Sequence, residues 1–247
     1  MASTRTICSP LLSCCLYLDR FDGMNIYWIP RHYIEEFCRK QGQVISGRIL
    51  DFGCGSRPYA ACFPDVHDYM GVEYDRNLQP GSFYEKDKVY FYDGLKLPFP
   101  DNYFDAIVSF QVIEHIENLH DSLCELKRVS RPGAKLLITG PLLWPEHEAP
   151  FDFRRFTRWG VEQIFNGAGL EVVEARPMGS IYDVLCVFLL DHLNTHRLIL
   201  ARKFCRFICP VINMISVLLN KLDPWALRDD RYCYLDLGLI ATNLKQE

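Results

Sequence analysis

The stretch "ILDFGCGSRPY", residues 49 to 59, decides how this chain is read. An apolar run ends in the acid Asp51, and two glycines one residue apart, Gly53 and Gly55, follow it. A strand that turns so tightly brings its backbone close to a ligand. In a dinucleotide fingerprint the pattern is G-x-G-x-x-G, and the helix that follows holds a pyrophosphate on its free N–H groups. Here the third glycine is missing, and Ser56, Arg57 and Pro58 follow instead. Pro58 removes an N–H donor that a phosphate would use, and Asp51 sets a carboxylate near that anion. Both features suit a ligand carrying positive charge. Arg57 is the one group nearby that favours an anion.

Outward from this turn, strand and helix patterns alternate. "GRILDF" (47–52), "YMGVEYD" (69–75), "FDAIVSF" (104–110), "AKLLITG" (134–140) and "LEVVEAR" (170–176) read as buried strands. Ile113, Ile116, Leu119, Leu123, Leu126 and Val129 recur at helical spacing until "RPG" at 131–133 stops the run. Val161, Ile164, Phe165 and Ala168 repeat that pattern. An aromatic-rich helix over 25–42, with Pro30 near its start, precedes the first strand, and "YCYLDLGLIATN" (232–243) reads as the last strand. Strands alternating with helices predict a mostly parallel sheet covered on both faces.

Bulk composition narrows the class. The 247 residues are 49% hydrophobic and 23% charged, as in an ordinary globular protein. A net charge of -4 gives no general attraction for nucleic acid. Eleven cysteines, an odd number with no Cys-x-x-Cys, read as free thiols in a reducing, cytoplasmic setting. No His/Cys/Asp spacing announces a metal, and none is expected. The apolar run "PLLSCCLYLDR" (10–20) reads as a terminal arm, and no segment shows the ~18 to 20 uninterrupted apolar residues of a spanning helix.

Glu73 lies at the end of the second strand, where a Rossmann-type fold places the acid that accepts from ribose hydroxyls. Asp75 is the weaker substitute. Asp93 sits in the loop after a probable third strand. With these residues the chain resembles the class I S-adenosylmethionine-dependent methyltransferases, specifically their type 11 branch. The resemblance covers about 47 to 176 and rests on "ILDFGCG", "GVEYD", "DGLKLPFPDNYFDAIVS", "VIEHI" and "ELKRVSRPGAKLLITGP", in that order. It implies S-adenosylmethionine as cofactor and an α/β, Rossmann-like, doubly wound sheet of seven strands with the last antiparallel. Asp51, Gly53 and Gly55 would then line the methionine moiety, and Glu73 would hold the ribose. Asp93 would accept from the adenine amino group with Gly94 beside it, and Phe110 and Gln111 would border the sulfonium. The chain departs from the family turn at Arg57, where the third glycine belongs.

Methyl transfer from a sulfonium is an in-line displacement, so alignment is the protein's main task, and an oxygen acceptor also needs a base. The candidate lies in "PLLWPEHEAPFDFRRFT" (141–157), after the fifth strand. His147 titrates in the right range, and Asp152, Arg154 and Arg155 are candidate substrate contacts. His115, in "EHIEN", is either a packed histidine or a wall of the site, and Glu114 reads as structural. This charged loop favours a polar acceptor, small or lipid-linked, over nucleic acid.

Residues 181–221 form the second unusual segment. Arg202, Lys203 and Arg206 share one helical face, opposite Leu200, Ala201, Phe204, Phe207 and Ile208. Such a basic amphipathic helix suits a lid, a dimer face or peripheral membrane contact through 197–220, with Pro210 interrupting it. The organisation expected is one methyltransferase domain over 1–247. It comprises an arm and helix (1–46), a cofactor-binding core (47–179), a helical insertion (180–230), and a last strand and tail (231–247). Two rival readings remain: a nicotinamide-dependent oxidoreductase or epimerase, and a non-catalytic module keeping the same fold.

Overall fold

The computed structural model describes residues 25–74, 83–84, 88–223, 225 and 233–244. The run at 10–20, Asp75, and residue 232 of the last strand candidate lie outside the described residues. Helix α1 (Trp28–Gly42) precedes β1 (Gly47–Phe52), β2 (Val66–Tyr74), β3 (Phe83–Tyr84), β4 (Val89–Tyr92) and β5 (Phe104–Phe110). Then come α2 (Leu119–Val129), β6 (Ser130–Pro141), α3 (Arg158–Gly167), β7 (Leu170–Met178), α4 (Ile181–Thr195), α5 (Ile199–Leu222) and β8 (Asp236–Asn243).

The strands form a single sheet in the order β3-β4-β2-β1-β5-β6-β8-β7. Strands β4, β2, β1, β5 and β6 pair in parallel, while β8 runs antiparallel to both β6 and β7. The seven-stranded arrangement with its last strand antiparallel is therefore present. The two-residue β3, antiparallel on the edge of β4, is an eighth strand that the sequence pattern did not announce.

Alternate residues of the central strands pack on opposite faces, and both faces are buried. Leu50, Ile107 and Leu136 join one core with Leu123, Leu126 and Phe165 of the covering helices. Their neighbours Ile49, Val108 and Leu137 join the other with Ile34 and Phe37 of α1. That two-sided burial is why these strands read as continuous apolar runs.

The helix predicted over 113–129 is corrected. Only Ile113–His115 forms a short 3₁₀ turn, Ile116 is extended (φ -93°, ψ 113°), and α2 begins at Leu119. The guanidinium of Arg154 donates to the carbonyls of Ile116 and Glu117, which holds this break open. Helical spacing alone did not reveal it, because Ile113 and Ile116 are apolar for packing reasons.

The hairpin of α4 and α5 is organised by one acid. Ser180 caps α4 in a capping box with Asp183, whose carboxylate accepts from the Ser180 N–H at 2.7 Å. Asp183 also accepts from Tyr33 Oη of α1 (2.9 Å), from Asn220 Nδ2 (3.0 Å) and from the Ser216 hydroxyl. Asp183 is 2% exposed, so its loss strands several buried donors at once. Asp183→Ala should cost about 3 kcal/mol or more and lower Tm by roughly 10 °C, while Asp183→Asn should cost less. A thermal melt of the alanine variant within 1–2 °C of wild type would contradict this role for Asp183.

The interruption expected at Pro210 is also corrected. Helix α5 runs unbroken through Pro210, and Ile199–Leu222 is long and apolar enough to cross a membrane by length and composition. A proline there deletes one backbone hydrogen bond. Cys205, Cys209 and Ile212 pack with Leu190 of α4 on both sides of it and keep the helix continuous.

Candidate functional site

In this strand order β1 and β5 are neighbours whose onward connections leave in opposite directions. The crevice at their carboxyl ends is where open α/β sheets bind ligands. Gly53 lies there with φ +73°, and its N–H donates to the Val72 carbonyl at 2.9 Å. A Cβ on Gly53 would come within 2.5 Å of Val112, so only glycine fits. Arg57, at the third glycine's place, adopts the same left-handed region with φ 59°. Its guanidinium folds inward over the Tyr69 ring (5.6 Å), and Nε and Nη2 are buried without a hydrogen-bond partner.

The Glu73 carboxylate accepts from the N–H of Gly55, which joins the end of β2 to the turn. Burial raises the Glu73 pKa, and the Gly55 N–H opposes that rise. Asp51 does not line an open crevice. It lies buried beneath the turn, accepts from Tyr69 Oη at 2.6 Å, and burial lifts its pKa to about 7. The sequence placed this acid correctly along the strand, but the partner that closes it off, Tyr69, lies on the neighbouring strand.

At the far edge Asp93 follows β4, exposed, with Oδ1 accepting from the N–H groups of Leu95 (2.9 Å) and Lys96 (3.2 Å). Those bonds lower its pKa and fix the loop. Gly94 (φ +83°) lies against the Tyr74 ring, 3.2 Å from where a Cβ would stand. Phe110 turns its ring towards Tyr59 (5.0 Å between centroids), into the packing on the α1 face. Gln111 is left-handed (φ 57°), and its Nε2 donates to Thr139 Oγ1 at 3.1 Å. A non-glycine residue held there marks local strain at the sheet edge.

The other wall comes from the 3₁₀ turn and the loop after β6. His115 Nδ1 lies 2.7 Å from the Phe151 carbonyl, so the proton sits on Nδ1. Its Nε2 then faces Glu114 Oε1 at 3.8 Å and Glu148 Oε2 at 4.0 Å. His147 Nδ1 lies 3.1 Å from Asp152 Oδ2 and 3.2 Å from the Pro145 carbonyl. Both neighbours are acceptors, so this nitrogen too carries the proton and Nε2 keeps its lone pair. The two imidazoles meet edge to face, with centroids 4.8 Å apart.

Asp152 also takes a bidentate grip from Arg155 (2.5 and 2.7 Å), and its pKa is held far below the usual carboxylate range. Arg155 further donates to the Trp144 and Pro145 carbonyls. Asp152, Arg154 and Arg155, the candidate substrate contacts, bind the loop to itself and to the segment that follows the 3₁₀ turn.

Sequence reasoning undervalued two acids here. Glu114 is fully buried, neither carboxylate oxygen has a hydrogen-bond partner, and burial pushes its pKa up to about 8, with Asp236 adding to the rise. Asp236, at the start of β8, is raised by burial to about 7 and is bonded by the Gln111 side chain. Nothing near Asp236 in sequence marks it; only the antiparallel last strand brings it to the crevice. Among the described residues, Glu114, His115 and His147 also bring one carboxylate and two imidazoles within 4.8 Å of one another. That donor set could hold a divalent cation, a grouping that spacing along the chain had not shown.

Comparison with known proteins agrees with this geometry. The Methyltransferase domain family matches residues 50–138. A probable S-adenosylmethionine-dependent methyltransferase of Mycolicibacterium smegmatis is 30% identical over 181 residues, covering 64% of this chain and 70% of that protein. A probable tRNA methyltransferase 9B of mouse is 36% identical over 107 residues, which is 40% of this chain but 22% of the mouse protein. In fold, a SAM-dependent methyltransferase from Archaeoglobus fulgidus superimposes with TM-score 0.53 at 17% identity, over 86% of this chain and 94% of that one. The chain belongs to the S-adenosylmethionine-dependent methyltransferases, and its sheet has the class I fold. It is thus an enzyme whose cofactor is S-adenosylmethionine, and the nicotinamide and non-catalytic alternatives fall away.

Proposed function

We propose that this methyltransferase acts on a polar acceptor, small or lipid-linked, and methylates it at oxygen, with His147 as the general base. The observation that carries this reading is the His147–Asp152 pair. Asp152 fixes the tautomer of the ring, and the Nε2 lone pair is left to take a proton from a hydroxyl. Bound S-adenosylmethionine supplies a methyl group already activated by its sulfonium. The chain's own residues then hold, orient and deprotonate.

The residues at the crevice fit that cofactor. The Glu73 carboxylate stands where ribose hydroxyls would donate, and the second oxygen of Asp93 suits an adenine amino group. The unpartnered, buried Nε and Nη2 of Arg57 suit the amino acid's carboxylate, a role the missing glycine had hidden. Gly53, Gly55 and Gly94 let the backbone approach, while Gln111 borders the crevice. Free thiols such as Cys38, Cys54 and Cys62 accord with a reducing, cytoplasmic compartment.

Incubation with methyl-labelled cofactor and separate pools of polar glycans, total lipid and tRNA tests the acceptor. Label is expected in the glycan or lipid pool and absent from tRNA; label in tRNA alone would overturn the polar-acceptor reading. Turnover is also expected to be indifferent to EDTA. Loss on chelation, restored by a divalent cation, would reassign Glu114, His115 and His147 to a metal.

A further inference from the structure

Helix α5 is mounted with its polar side inward. Cys205, Cys209, Asn213, Ser216 and Asn220 are buried, the last two bonded to Asp183. Asn213 Nδ2 reaches the Asn25 carbonyl at 3.3 Å. The large apolar residues are left facing out: Leu200 (78% exposed), Phe204 (54%), Phe207 (81%), Val211 (57%), Met214 (71%) and Leu218 (53%). At 100° per residue these six fall within one sector of the helix, opposite the Cys205–Asn220 seam. A contiguous apolar strip along a helix of ~36 Å is far more than scattered surface leucines require.

The charges around the strip decide what covers it. From His192 to Leu222 the chain contains no Asp or Glu, yet it carries Arg197, Arg202, Lys203, Arg206 and Lys221, in a protein of net charge -4. Lys203, Arg206 and Lys221 flank the apolar strip on one side, where long stems lie along hydrocarbon and cationic heads reach lipid phosphates. A second copy seated on this face would bring both sets of cations to one interface with no acid to meet them. Crossing a bilayer would sink Arg202, Lys203 and Arg206 into hydrocarbon and break the bonds to Asp183 and Asn25.

We propose that the outward face of α5 is a monotopic docking surface for an anionic lipid bilayer, with the helix lying in the interfacial plane. The hairpin also adjoins the candidate site. Leu143 and Trp144 of the His147 loop pack against the cluster that includes Val184 and Val187 of α4. The surface stands on its own observations and does not depend on methylation at oxygen.

Flotation of the full chain with vesicles tests it without any acceptor. Binding to phosphatidylcholine vesicles containing a third phosphatidylglycerol should exceed binding to pure phosphatidylcholine by at least tenfold at 0.15 M salt. Phe207→Glu should abolish flotation while keeping wild-type S-adenosylhomocysteine affinity and Tm. Replacing Arg202, Lys203 and Arg206 by glutamine should remove the preference for anionic lipid. A chain that stays unbound with both vesicles overturns the proposal. So does a concentration-dependent dimer by sedimentation equilibrium that Phe207→Glu dissociates and vesicles fail to displace.

Discussion

Glu73→Ala is expected to weaken S-adenosylhomocysteine binding about 100-fold while leaving the fold intact. The carboxylate stands at the end of β2, bonded to the Gly55 N–H, and in the proposed reading it accepts from the ribose. Losing two charge-assisted hydrogen bonds of about 1.5 kcal/mol each gives about 3 kcal/mol, and about 1.4 kcal/mol is a factor of ten. The substitution also frees the Gly55 N–H, so turn loosening contributes to the loss. Glu73→Gln separates the two effects, since the amide oxygen still accepts from Gly55. Its affinity should fall less than that of the alanine variant and remain below wild type. Calorimetric titration reads all three. An alanine variant within threefold of wild type would remove Glu73 from the cofactor site.

The second large effect concerns His147→Asn. A positioned base typically contributes 10²–10⁴-fold, so kcat on the true acceptor should fall by roughly that range. S-adenosylhomocysteine affinity should stay within twofold, because the proposed role puts the residue on the acceptor side. The pH profile separates a base from a packing role. Burial, then the neighbouring His115, lower the His147 pKa below its ordinary 6.5; Asp152 pulls it up and Arg155 opposes that. The charged form is the inactive one, so wild-type activity should fall only as pH drops below about 6.5, and the variant should lose this acid limb. A variant with normal kcat, or one that keeps the limb, would contradict the assignment.

The core of the fold was legible because the central parallel strands β1, β5 and β6 are buried on both faces. "GRILDF" and "FDAIVSF" begin and end as β1 and β5 do. The glycine turn was legible because Gly53 tolerates no side chain against Val112, a constraint that leaves a mark on the sequence. What failed to show depends on groups distant along the chain. Asp51 was legible as the acid ending β1, but its burial against Tyr69 on β2 was not. The carbonyl and carboxylate partners of Arg154 and Arg155, in the loop itself and at Ile116 and Glu117, carried no signal in the sequence. Asp236 carried no signal, since its importance comes from β8 running antiparallel beside β6. For α5 the basic and apolar faces were correctly separated, but the buried seam of Cys205, Asn213, Ser216 and Asn220 was not visible. Small and polar residues there satisfy Asp183, so the apolar residues that usually mark a buried face point outward instead.

The most direct test of the account is titration of the wild-type chain with S-adenosylhomocysteine and NAD side by side. The account predicts a single saturable S-adenosylhomocysteine site and no heat from NAD, because Pro58 offers no N–H and Glu73 already occupies that of Gly55. Saturable NAD binding with S-adenosylhomocysteine silent would contradict it and return the turn at Gly53 to a dinucleotide.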